Sequence, residues 1–160
     1  MLSPLTKANL YLSLFGIFKV PLIWTCRPKL KSLDDDKVVV AMPLKRKNKN
    51  HLNSMYFGAL AVGADVAGGF MAMSKAKQRG VPISLAFKGV QAEFLKRPEA
   101  DVEFVCHDGK LIDEMLDTTM ASGERVNQAV KITALCPSLH GDEPMAEFSL
   151  VLSVKAKFRD

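Results

Sequence analysis

The first apolar pattern lies at residues 8–18, ANLYLSLFGIF, where Leu10, Leu14, Ile17 and Phe18 recur at i, i+4, i+7 and i+8. That spacing predicts a helix over 4–24, with Pro4 in its first turn. Lys19 and Pro21 interrupt the apolar run well before the ~20 residues a membrane-spanning helix needs. No small-x-small cleavage site follows, and Trp24 stands where a lipoprotein box before Cys26 requires a small residue. The segment therefore reads as an amphipathic helix covering one side of the core, with a helix lying on a membrane surface as the alternative.

Further along, KVVVAMPL (37–44) is short and β-branched and predicts a strand, followed by a charged loop, KRKNKN (45–50). From Asn53 to about Lys77 the pattern is that of a long helix. Asn53 or Ser54 is positioned to cap its start, and Gly80 and Pro82 lie just past its end. The period then shortens. Residues 83–95 and 101–107 predict strands, 110–121 a short helix, and 125–136 and 146–158 two alternating strands joined by a loop at 137–144. Helix, strand, long helix and then mostly strands is a segregated order. It predicts an α+β fold with an antiparallel sheet rather than βαβ units.

Composition adds limits. At 160 residues the chain predicts one domain, 1–160, with an N-terminal helical extension over 1–30. The net charge of +5 allows an anionic partner: a membrane surface, a nucleic acid or a phosphate-bearing small molecule. Aromatic residues are only 8% and never interleave with basic ones, which argues against nucleic acid. Cys26, Cys106 and Cys136 lie far apart, as do His51, His107 and His140, so no metal-ligand spacing or disulfide framework is visible. This cysteine usage predicts a reducing, cytoplasmic setting.

The long helix carries the candidate chemistry. YFGALAVGADVAGGF (56–70) is nearly all small or apolar, yet holds one acid, Asp65. So many glycines need a reason, because each costs ~1 kcal/mol against alanine inside a helix. Close approach of a sheet is one reason, and access for a ligand is another. Gly58 and Asp65 are seven residues apart, so they point within about 20° of one another, roughly 10 Å apart along the axis. Free N–H groups at the helix start near Phe57 and Gly58 favour an oxyanion, and Asp65 could act as base or nucleophile. A hydrogen-bonded structural acid is the alternative reading.

These residues resemble the hotdog-fold acyl-CoA thioesterases, most closely the phenylacetate-pathway type and a related uncharacterised branch. Asn50 stands at the family asparagine, and Asn53 at a position often held by glycine. Tyr56-Phe57-Gly58 stands at His-Gly-Gly, and Ala64-Asp65-Val66-Ala67 at Ala-Asp-x-Ala. Downstream, AEFLKRPEADVEF (92–104) looks like the family strand ending in Phe-Leu-x-Pro and the strand after it. The resemblance covers a core of about 37–158.

It implies a curved antiparallel sheet wrapped round the long helix, in a homodimer or homotetramer with active sites between subunits. Asp65 would attack the thioester or activate water, and N–H groups near Gly58 would polarise the carbonyl. Asn50 would orient the site. His51, Asn53, Tyr56 and Phe57 would border the substrate, and Lys96, Arg97 or the 45–49 loop would meet the phosphates of coenzyme A, which is substrate rather than cofactor. Tyr56 and Phe57 depart from the family His and Gly, and the helix near 110–121 is an addition to a compact hotdog. The rival from another class is a non-catalytic acyl-ligand or lipid-binding hotdog.

Overall fold

The computed structural model describes residues 1–158; Arg159 and Asp160 of the expected 1–160 domain lie outside the described residues. The long apolar pattern folds as one helix, α3 (Phe57–Gln78), and the strand patterns fold as β2 (Val38–Met42), β3 (Ile83–Phe94), β4 (Val102–Cys106), β5 (Val126–Leu135) and β6 (Pro144–Ala156). With β1 (Lys29–Leu33) they form one six-stranded sheet in the order β1-β2-β4-β5-β6-β3, antiparallel throughout. The helix packs against β2, β3, β4, β5 and β6 alike, so the sheet curls round it.

Period-2 alternation sets the inner face. Phe148, Leu150, Leu152 and Val154 of β6 are buried, as are Val130, Ile132 and Ala134 of β5. The small residues of α3 are what let the sheet close on it. A Cβ built on Gly63 would stand 2.1 Å from the buried ring of Phe104, and one on Gly68 would stand 3.3 Å from Val130. By length and composition α3 could cross a membrane, yet most of it is buried against the sheet, as the core helix of a globular domain.

The helix α4 (Gly109–Ser122) packs on β5, β6 and α3. Lys75, almost fully buried, donates to Asp113 at 2.7 Å, and Arg79 reaches both Asp113 and Asp117. Thr119 accepts from Ala156 N–H, tying α4 to β6. The two strands flanking it, β4 and β5, remain neighbours in the sheet. Its attachment is to the C-terminal half of α3, away from Asp65.

Four expectations need correction. The N-terminal helix is two, α1 (Pro4–Phe18) and α2 (Pro21–Cys26), because Pro21 cannot continue α1 and instead opens α2. The helical extension also stops short of residue 30, since Lys29 begins β1. Neither Asn53 nor Ser54 caps α3; Asn53 takes a left-handed backbone (φ 62°) in the loop before it, and Tyr56 is the residue at the cap. The loop at 137–144 contains a single turn of helix, α5 (Pro137–His140).

The face of α1 is also reversed. Leu12 and Gly16 are buried, whereas Leu10, Leu14, Ile17 and Phe18, the residues expected to cover the core, are exposed. The helix is apolar on opposite sides, so spacing alone could not say which side packs inward.

Candidate active site

The approach to α3 is held by two asparagines. Asn48, buried, donates to Pro43 carbonyl at 2.7 Å and accepts from Lys45 N–H at 2.8 Å. Asn50 Oδ1 accepts from the N–H groups of Leu52 and Ser54, closing a local turn of the kind asparagine forms with its own backbone. Met55 N–H then donates to Pro98 carbonyl, and Tyr56 N–H to Asn48 carbonyl, which fixes where the helix begins. The first bond across that boundary runs from Leu60 N–H to Tyr56 carbonyl, and Tyr56 offers no side-chain cap. The N–H groups of Phe57, Gly58 and Ala59 therefore lie ahead of the helical ladder, at the positive end of a 22-residue helix.

Tyr56 folds over that end: a Cβ on Gly58 would fall 2.5 Å from its ring. Phe57 packs beside it with its ring tilted by 55°, 4.8 Å between ring centroids, and meets Phe94 edge-on at 6.2 Å. Tyr56 and Phe57 are half exposed, as are Phe94 and Leu95 at the end of β3. Lys96 and Arg97 follow at the same end of the molecule, since Pro98 bonds Met55 there; both are exposed, and Lys96 pairs with Glu143 at 2.6 Å. His51 and Asn53 are exposed on the entry loop.

Asp65 is two turns further along. On the first half of α3 the incompletely buried positions after Phe57 are Gly58, Ala61, Val62 and Asp65, which is one face at helical spacing. The carboxyl group of Asp65 looks into a cavity of about 190 Å³, lined by Leu12 and Phe15 of α1, Ile23 of α2, Gly69 and Met73 of α3, and Phe87 of β3. Gly69 forms the floor under it: a Cβ there would stand 3.7 Å from Asp65 Oδ1 and 3.6 Å from the Phe87 ring. Beside it the β3–β6 register slips between Phe87 and Gly89, a bulge at Lys88 of the kind that re-aims a side chain next to a site. Burial in this apolar surround raises the Asp65 pKa above the ordinary carboxylate range, and no hydrogen bond or charge partner among the described residues offsets it.

A groove of about 620 Å³ adjoins the cavity, sharing Phe15, Met73 and Leu85 in its lining and bordered further out by Tyr11, Lys77 and Ile83. Of the expected site, the fold thus gathers Asn50, His51, Asn53, Tyr56, Phe57, Gly58, Lys96 and Arg97 at one end of α3, and leaves Asp65 roughly 10 Å along the axis in its own cavity. The added helix α4 contributes nothing to that cavity; its cover comes from α1 and α2. Leu12, Phe15, Ile23 and Phe87 were missed as site residues, and nothing in their local spacing sets them apart from core. The basic loop forms a different groove of about 400 Å³, where Lys45, Arg46 and Lys47 meet Arg27.

Among solved structures, the fold is similar to a Chlorobaculum tepidum protein of unknown function (15% identity, 96% of this chain and 97% of that one, TM-score 0.81). It is similar also to a Pseudomonas aeruginosa protein of unknown function named as a candidate thioesterase (19% identity, 98% and 99%, TM-score 0.78). A third is a thioesterase of Haemophilus influenzae (12% identity, 99% and 95%, TM-score 0.68). At these identities the likeness establishes the fold, the hotdog of the thioesterases. No functionally curated protein matches the chain. A family profile does match, over residues 9–137. The chain is therefore a hotdog protein belonging to the family described as Domain of unknown function (DUF4442).

Proposed function

We propose that the protein hydrolyses an acyl thioester of coenzyme A, with Asp65 as the base that activates water or the nucleophile that attacks the thioester. The observation that carries this reading is an unpaired, raised-pKa carboxylate in an apolar cavity. A structural acid in the same place would have partners, since burying a carboxylate without them is costly. Hydrolysis adds water across the thioester: the carbonyl–sulfur bond breaks, the hydroxyl stays with the acyl group and the proton goes to the coenzyme A thiolate. A carboxylate with raised pKa is the stronger base for removing the proton from water.

Within one protomer Gly58 N–H and Asp65 are too far apart to serve one carbonyl, which must lie about 3 Å from its oxyanion donors and within reach of the attacking group. A dimer resolves this by bringing Asp65 of one protomer to Gly58 of the other. The long edge strand β3, bonded only to β6 and carrying exposed Val90 and Phe94, with exposed Leu95 just past its end, is the surface such a dimer would cover. The acyl chain would occupy the apolar cavity and groove. Lys96 and Arg97, at the Gly58 end of α3, would meet the phosphates, and Asn50 holds the loop that presents Gly58.

Purified protein assayed for free-thiol release against aliphatic and aromatic acyl-CoA thioesters tests this. Release from at least one of them is expected. No release from any, with lipid co-purifying, would replace the reading by non-catalytic acyl-ligand binding, which the Tyr56–Phe57 aromatic cover favours.

A further inference from the structure

The first N-terminal helix, α1, presents an apolar surface that nothing in the fold uses. At 100° per residue, Leu10, Leu14, Ile17 and Phe18 fall within an arc of about 100° on α1, opposite the buried Leu12 and Gly16. Their exposures are 51, 44, 42 and 75%. Isolated exposed leucines need no explanation, but four large apolar side chains in one arc of a short helix form a patch that marks an interaction site. The charge along this part of the chain has one sign. Lys7, Lys19, Arg27, Lys29 and Lys31 are the charged residues before Asp34, and all five are exposed. Lys7 lies in the same arc as Leu10 and Leu14, and Lys77 of α3 sits over the Tyr11 ring at the margin.

We propose that the outer face of α1 docks on a lipid surface carrying anionic headgroups. Leucine, isoleucine and phenylalanine on one face with lysine beside them is the composition of a helix lying in the membrane interface. A negatively charged leaflet attracts such a side chain, and lysine stems reach from the apolar level to the headgroups. A second copy of the chain is the poorer occupant. A two-fold contact would set this patch against itself, cation against cation, with no acid on either helix to answer them. The inner side of α1 covers the cavity beside Asp65, so docking would hold the roof of that cavity at the lipid surface. The docking itself does not depend on hydrolysis.

The full chain is titrated with vesicles of phosphatidylcholine alone and with vesicles in which about a third of the lipid is phosphatidylserine. With the anionic vesicles at low salt, the protein should pellet with lipid, and less of it should do so as salt is raised. The double variant Leu14→Glu/Phe18→Glu, altered only at exposed positions, should keep the wild-type melting temperature and weaken binding at least about tenfold. Lys7→Glu/Lys19→Glu should weaken binding to anionic vesicles only. Absence of binding to anionic vesicles at low salt overturns the proposal, as does equal binding by Leu14→Glu/Phe18→Glu. If that variant instead splits a wild-type oligomer while neither protein binds vesicles, the face is an interface between copies and the proposal is wrong.

Discussion

Two glycines of the same helix should respond in opposite directions to the same substitution. Gly63→Ala places a methyl 2.1 Å from the Phe104 ring, which is fully buried and must move by more than an ångström. Overpacking of that kind costs about 1–3 kcal/mol, and this contact belongs at the upper end. Set against the ~1 kcal/mol that alanine gains inside a helix, the net loss is about 1–2 kcal/mol. For a domain of this size that lowers Tm by about 2–8 °C. Gly69→Ala meets only ordinary contacts at 3.6–3.7 Å, so it keeps the helix gain and should raise Tm by about 2–4 °C. Thermal and urea unfolding of both variants checks this. Gly63→Ala combined with Phe104→Leu should show a coupling of about 1 kcal/mol or more. Two rises of equal size, or no coupling, would refute the claim that Gly63 is there to admit the Phe104 ring.

Asp65 carries a pH signature with a definite sign. Its folded-state pKa is raised by burial, so the folded chain holds this proton to higher pH than the unfolded chain does. Its contribution to stability is greatest below the unfolded pKa and is lost as pH rises through the folded one. The Tm of Asp65→Asn minus that of wild type should therefore grow from acid to neutral pH, and a constant difference would contradict the desolvated carboxylate. In the proposed hydrolysis, kcat/KM should fall on the acid side along a limb lying above the ordinary carboxylate range. For a site shared between protomers, mixing inactive Asp65→Asn with inactive Gly58→Val and allowing subunit exchange should restore about a quarter of wild-type activity, since random pairing makes half the dimers mixed, each with one intact site. No recovery from stable mixed dimers would place both residues in one protomer's site.

How far the sequence could be read follows from where its signals are periodic. The core helix and β2 to β6 lie close to their expected limits because Val130, Ile132, Leu150 and Leu152 alternate cleanly and Gly80 ends the long run. KLKSL is short and half polar and lies at the sheet edge, so β1 carries no period-2 signal. The start of α3 shifts to Phe57 because Asn50 spends its bonds on Leu52 and Ser54, drawing both into the turn. The shared face of Gly58 and Asp65 was legible from a spacing of seven. The cavity was not, because its walls come from α1, α2 and β3, and α1 is apolar on both sides. Which side turned inward was decided by tertiary packing of Leu12, Gly16 and Ile23.

The central claim, that Asp65 is the group that drives thioester hydrolysis, is met most directly by single-turnover thiol release from the best acyl-CoA substrate with wild type and Asp65→Asn. The account predicts a fall of about 10²-fold or more in the chemical step, with a Tm no lower than wild type because the variant removes an unpaired buried charge. An Asp65→Asn protein that releases thiol at the wild-type rate would contradict it.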